Sequence, residues 1–138
     1  MAIEFVVSSI LPATPVEVYD TWMSSAGHSA MTGSPASISP EIGGEFDAWD
    51  GYIHGKNINL ERGVLIVQSW RTSEFSDTEE DSLLEINLKP AGNQTELTLR
   101  HSNLPPHGTQ YKDGWVESYF EPMKEYFSSR RESEKSSH

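Results

Sequence analysis

Apolar and polar positions change rhythm three times along this chain. Residues 3–11 are rich in β-formers and stop at Pro12, which predicts a strand. Thr14, Pro15 and Glu17 then supply an N-cap, a proline at the first helical position and a capping-box acid. The helix they start carries Val18, Tyr19, Trp22 and Met23 on one side. Residues 24–35 are small and glycine-bearing, with Met31 as the one large apolar side chain. They predict a short helical turn followed by a loop.

From 36 to 102 the spacing switches to that of strands and turns. Residues 37–39 form a short strand, and Glu41 to Gly44 a turn. Glu45–Trp49 and Tyr52–Leu60 flank Asp50-Gly51, a hairpin signal. Glu61-Arg62-Gly63 leads into Val64–Arg71. In Leu83–Leu88 and Thr95–Ser102, alternation puts Leu84, Ile86 and Leu88, and then Leu97 and Leu99, on one face. A turn at 90–93 joins them. Short links between successive strands imply an antiparallel meander. After a Pro/Gly loop at 103–110, Trp115, Tyr119, Met123 and Tyr126 mark a long amphipathic helix over about 112–128. Val116, Phe120 and Phe127 are expected to widen its apolar stripe, and Pro122 to bend it. Residues 1–128 are expected to form a single domain, and the polar tail 129–138 to be flexible.

An antiparallel sheet solvated on one face must cover the other, and the last helix is the element long enough to do so. A twisted sheet of about seven strands curls around a straight helix, and the two shapes do not match perfectly. The gap is either a ligand-sized cavity or space filled by tryptophans. Its expected lining comes from several elements. Trp22 and Met31 belong to the early helices, and Phe46, Ile53, Ile66 and Trp70 to the first strands of the meander. Leu84, Ile86, Leu97 and Leu99 come from the later strands, and Trp115, Tyr119 and Met123 from the terminal helix. Neighbours on a strand face opposite ways, so if Trp70 points inward, Arg71 faces solvent and can pair with an acid.

Composition narrows the function. Ten basic residues oppose 21 acidic ones, a formal net charge of −11, and residues 74–85 hold six acids and no base. Nucleic acid and anionic membrane surfaces are therefore not expected partners. The acidic stretch reads as a solvated hairpin loop or as a steering patch for a basic partner. No apolar run exceeds four residues, too few to span a bilayer. The first residues lack a basic n-region, so no secretory signal and a cytoplasmic location are expected. The sequence has no cysteine, which removes disulfides, thiolate catalysis and zinc–sulfur sites. The five histidines are scattered without metal-ligand spacing, and no nucleophile elbow or phosphate loop is present. No metal, no cofactor and no catalytic residue is expected. A histidine at the mouth of the gap, such as His101, could act as an acid or base, but for His101 and His28 alike a surface or hydrogen-bonded role is the favoured expectation. Glu45 and Asp47 share a strand face and are solvated if Phe46 points inward.

A set of motifs in fixed order adds a resemblance. Pro15-Val16-Glu17-Val18-Tyr19 is followed by Thr32 and Gly33, Gly43-Gly44-Glu45-Phe46, and Asp50-Gly51. Trp70-Arg71, Thr95-Glu96-Leu97, Gly114-Trp115 and Tyr119-Phe120 complete it. Over residues 4–127 this resembles the C-terminal domain of the activator of the ninety-kilodalton heat-shock chaperone ATPase, within the START-like (SRPBCC, helix-grip) superfamily. The resemblance implies an α+β helix-grip fold: a curved antiparallel sheet of about seven strands around a long C-terminal helix, with two short helices after strand 1. It also implies an internal cavity, as in many relatives, and a chaperone-contacting module. Three functions follow as expectations. The first is a non-catalytic module holding a lipophilic small molecule in the grip. The second is a co-chaperone-like protein meeting a heat-shock chaperone through its acidic surface. The third, ranked behind them, is a cyclase- or hydratase-type enzyme.

Overall fold

Thr14 caps the first helix as its spacing requires, since the Glu17 N–H donates to Thr14 Oγ1 at 3.3 Å. A computed structural model describes residues 2–136. Strand β1 (Ile3–Leu11) leads into helices α1 (Pro15–Trp22) and α2 (Ser25–Thr32). The meander follows: β2 (Ser37–Ile38), β3 (Glu45–Ala48), β4 (Ile53–Glu61), β5 (Leu65–Thr72), β6 (Ser82–Ala91) and β7 (Gln94–Leu104). A 3₁₀ turn at Pro106–Thr109 opens the C-terminal helix, made of α3 (Gln110–Trp115), a π turn (Val116–Phe120) and α4 (Glu121–Ser136).

The strands form one curved antiparallel sheet in the order β1-β7-β6-β5-β4-β3-β2. The first strand thus lies beside the last, and Phe5 to Leu11 pair with His101 to Thr95. Alternation decides which side faces the helix. Ile66, Gln68, Trp70 and Thr72 of β5 are buried, as are Leu84, Ile86 and Leu88 of β6 and Leu97, Leu99 and His101 of β7. Each fully covered leucine or isoleucine contributes roughly 1.5–3 kcal/mol. Trp70 points into this core, while Arg71 turns outward onto Asp81 at 2.8 Å. Phe46 is inward too, with Glu45 on the opposite, exposed face beside a half-buried Asp47.

Two irregularities sharpen the curl of the sheet. A register shift between Asn57 and Asn59 marks a bulge in β4. At Gly55 a β-carbon would lie 1.9 Å from the Ser69 carbonyl oxygen, so glycine lets β4 approach β5 closely. Asn57 faces inward at the bulge. Its Nδ2 donates to the carbonyls of Ser39 (2.6 Å) and Glu41 (2.9 Å), and its Oδ1 accepts from Gln68 Nε2 at 2.9 Å. These bonds pin the loop between β2 and β3 to the sheet.

The C-terminal helix crosses the concave face with Tyr111, Trp115, Tyr119, Phe120, Met123 and Phe127 buried. Val116 does not join the stripe and is 37% exposed. Pro122 has no N–H to give to the turn before it. The helix adjusts there by widening, and the Glu121 N–H reaches back five residues to the Val116 carbonyl. The region after the first helix is also more regular than its spacing predicts. Ser24 caps a complete helix α2 through the Gly27 N–H at 3.1 Å, and Gly33 ends it in the left-handed conformation at φ 78°. The backbone of 129–136 continues α4, whereas 137 and 138, the end of the expected flexible tail, lie outside the described residues.

Candidate functional site

An aromatic pocket of about 390 Å³ opens where the β3–β4 hairpin and the end of β5 meet the C-terminal helix. Trp49, Tyr52 and Ile53 supply the hairpin side, and Trp70 the sheet. The helix contributes Tyr111, Gly114, Trp115, Ser118 and Tyr119. Gly114 and Ser118 are one turn apart, and their small side chains leave the space that the neighbouring rings surround. Trp49, Tyr52, Gly114 and Ser118 are only partly buried, so the pocket reaches solvent on that side.

The rings meet at steep angles rather than lying in one layer. Trp70 and Tyr111 are 4.9 Å apart at 78°, Trp70 and Trp115 5.7 Å apart at 44°, and Trp49 and Tyr119 6.2 Å apart at 74°. Such geometries add roughly 0.5–1.5 kcal/mol per pair beyond area burial. Trp49 has φ 55° and Asp50 φ 57°, followed by Gly51 at 87°. A tryptophan in the left-handed region is uncommon, and here it sets the indole at the pocket rim.

Polar groups hold the rings in place from the rim and from beneath. Tyr52 Oη donates to the Glu74 carboxylate, and the hydroxyls of Tyr111 and Thr72 share a 2.7 Å bond. Burial, and secondarily the Glu74 carboxylate, raise the Tyr52 phenol above its usual range. Beneath the rings, the Trp115 indole N–H donates to His101 Nδ1 at 3.0 Å. An indole can only donate, so Nδ1 accepts and the proton sits on Nε2. Nε2 donates to Ser82 Oγ at 2.8 Å, and that hydroxyl donates to the Trp70 carbonyl at 2.6 Å. Burial holds His101 down to about 3. His28 is organised in the same way. Its Nδ1 donates to the Trp22 carbonyl at 3.0 Å, and its Nε2 accepts from Tyr119 Oη at 2.8 Å. Burial holds it down to about 4. Both imidazoles are neutral, buried and fully hydrogen-bonded. His101 therefore supports Trp115 from beneath the pocket and does not stand at its mouth.

Of the residues expected around a cavity, Ile53, Trp70, Trp115 and Tyr119 border this pocket. Trp22 stands one layer behind, 6.2 Å from Trp115. Met31, Phe46, Ile66, Leu84 and Ile86 are packed into the core, as are Leu97, Leu99 and Met123. Trp49, Tyr52, Tyr111, Gly114 and Ser118 were not among the expected residues. No Asp, Glu, His, Lys or Arg is among the lining residues. Among the described residues, no cluster of three or more His, Asp or Glu could hold a metal ion. No helix of the described residues is long and apolar enough to cross a membrane.

The acidic segment after β5 is built rather than loose. Phe75 is buried, with its ring 6.2 Å from Trp70. Arg71 donates to the carbonyls of Ser76 (3.0 Å) and Glu79 (3.2 Å) as well as to Asp81. His107 meets Glu79 at 3.0 Å. Glu74, Asp77, Glu80 and Asp81 remain exposed.

A curved seven-stranded sheet closed by a long C-terminal helix, with two short helices after the first strand, defines a START-like helix-grip protein. The comparisons with known proteins give the family. The model of the Activator of Hsp90 ATPase homolog 1-like family matches residues 12–128, and the chain belongs to that family. A mouse relative, activator of 90 kDa heat shock protein ATPase homolog 2, is 34% identical over 66% of this chain and 28% of its own. The Dictyostelium discoideum activator homologue is 27% identical over 83% of this chain and 30% of its own. The chain thus spans less than a third of either relative. The crystal structure of an HSP90 activator from Plasmodium falciparum has the same fold, with a TM-score of 0.79 at 19% identity over 86% of this chain and 91% of that one.

Proposed function

We propose that this domain is a non-catalytic binding module that holds a lipophilic small molecule in the aromatic pocket between sheet and C-terminal helix. One observation carries this reading. Leu84, Ile86, Leu97, Leu99 and Met123 are buried on the concave side, yet about 390 Å³ is left open among six rings. Native cores tolerate few voids, and those that persist next to solvent are the usual ligand sites. The two histidines nearest the pocket are committed to hydrogen bonds, so the site offers shape and apolar contact rather than proton transfer. The test uses the neutral fluorophore N-phenyl-1-naphthylamine. Saturable binding should brighten and blue-shift its emission. At a hundred times its Kd the probe should add about 2.7 kcal/mol of stability and raise Tm by roughly 10 °C. An unchanged melting curve with no saturable signal would remove the reading.

A second reading has its own support. The family and both curated relatives carry the name of a heat-shock chaperone activator. The loop clamped by Arg71 presents exposed carboxylates in a fixed arrangement. In this reading the acidic face meets a basic patch on a ninety-kilodalton chaperone, and charge complementarity governs the encounter. Recovery of the purified chaperone on immobilised protein is expected at low salt, with loss at about 0.5 M salt, where charges are screened within a few ångströms. No recovery at low salt would end this reading.

A further inference from the structure

Six of the nine residues around the pocket are aromatic, and Ile53 is the one large aliphatic among them. Leucine and valine would wrap an uncharged hydrocarbon equally well, so this bias calls for a separate reason. Ring faces carry negative charge density and attract cations, most strongly where water is displaced. Trp70 stands at 78° to Tyr111 and at 44° to Trp115, so a central guest meets rings from several directions. The surrounding charge favours the same guest. No lysine, arginine or histidine lines the cavity, which leaves an anionic amphiphile without a counter-charge. Tyr52 holds the Glu74 carboxylate at the rim, and the whole chain carries −11. Trp49 stands at the rim on left-handed backbone, and strain of that kind gathers where a side chain must clamp a ligand.

We infer that the pocket takes a lipophilic cation, an organic ammonium with an aromatic or alkyl body, seated among the rings with Glu74 as counter-charge. This rests on the reading of the pocket as a ligand site and names the chemistry of its guest. The test is a matched pair of probes, benzyltrimethylammonium and neopentylbenzene. They share one shape and differ by nitrogen against carbon. Binding is followed by quenching of tryptophan fluorescence. The cation is expected to bind at least tenfold tighter. Trp49→Leu should shrink that preference to about threefold or less while the neutral probe keeps its affinity. Glu74→Gln should weaken the cation alone. Equal or tighter binding of neopentylbenzene would overturn the cation inference and leave the pocket a lipophilic site. Absence of saturable binding for both probes would overturn the inference and the ligand-site reading together.

Discussion

Trp115→Ala is expected to lower the unfolding free energy by about 3–5 kcal/mol. The indole is 3% exposed and packs against Trp22, Trp70 and Tyr119. Truncation opens a hole at the junction of helix and sheet, next to a pocket that is already partly empty. It also strips the donor from His101 Nδ1, and a buried acceptor left bare costs about 1–3 kcal/mol. Urea denaturation measures the sum as a lower midpoint at constant m. Trp115→Phe helps to separate the two contributions, because it keeps a six-membered ring in place while losing the N–H and the rest of the indole. A loss below about 1 kcal/mol for the alanine variant would show that this side chain does not join the helix to the strands.

Stability is expected to fall steeply as the solution is acidified below pH 6.5. His28 and His101 titrate near 6.5 when the chain is unfolded, but near about 4 and about 3 when it is folded. Between those values the unfolded chain binds more protons than the native one, so the native state gains as pH rises and loses as it falls. Their contribution is complete above 6.5 and is lost progressively as pH falls from there to the folded values. At pH 5 each histidine has given up about 2 kcal/mol, from 1.36 kcal/mol per pH step. The protein should therefore unfold well before its exposed carboxylates are all neutralised. Thermal melts from pH 8 to 4 provide the measurement. A Tm that stays level down to pH 4.5 would mean that neither imidazole is held neutral by burial. His101→Gln can donate to Ser82 but cannot charge, and it should flatten the lower part of the curve.

Much of this architecture is readable from the residues because the rules that govern it are local. Thr14, Pro15 and Glu17 specify a helix start within four positions, and the observed cap follows them. The alternation of Leu84, Ile86, Leu97 and Leu99 needs only the two-residue period of a strand, and all four are buried. The pocket is a different matter, because it is made by what is missing. Gly114 and Ser118 create it by being small, and a search for large apolar side chains passes over them. Their spacing of four, on the same helix as Trp115 and Tyr119, was the available signal. Trp49 reaches the rim through left-handed backbone that no periodicity encodes. The inward polar residues Asn57, Gln68, Ser82 and His101 also escape a hydrophobic pattern. Their partners are distant in sequence, so only the assembled sheet shows why they are tolerated. Val116 looks inward on a regular helix and outward once Pro122 forces the turn before it to widen.

The pairing of β1 with β7 sets the order in which the molecule can be completed. Ile3 finds its partner at Leu104, and β1 takes all of its ladder partners from residues 95–104. A ribosome must therefore polymerise about a hundred residues before this strand acquires a neighbour. Until then its apolar side chains, with Val6 and Ile10 outward even in the finished sheet, are open to any adhesive surface nearby. Joining β1 to β7 therefore closes a far longer loop than any hairpin of the meander, at a higher entropic cost. Non-local pairing of this kind slows folding, because the loop must close before its contacts form.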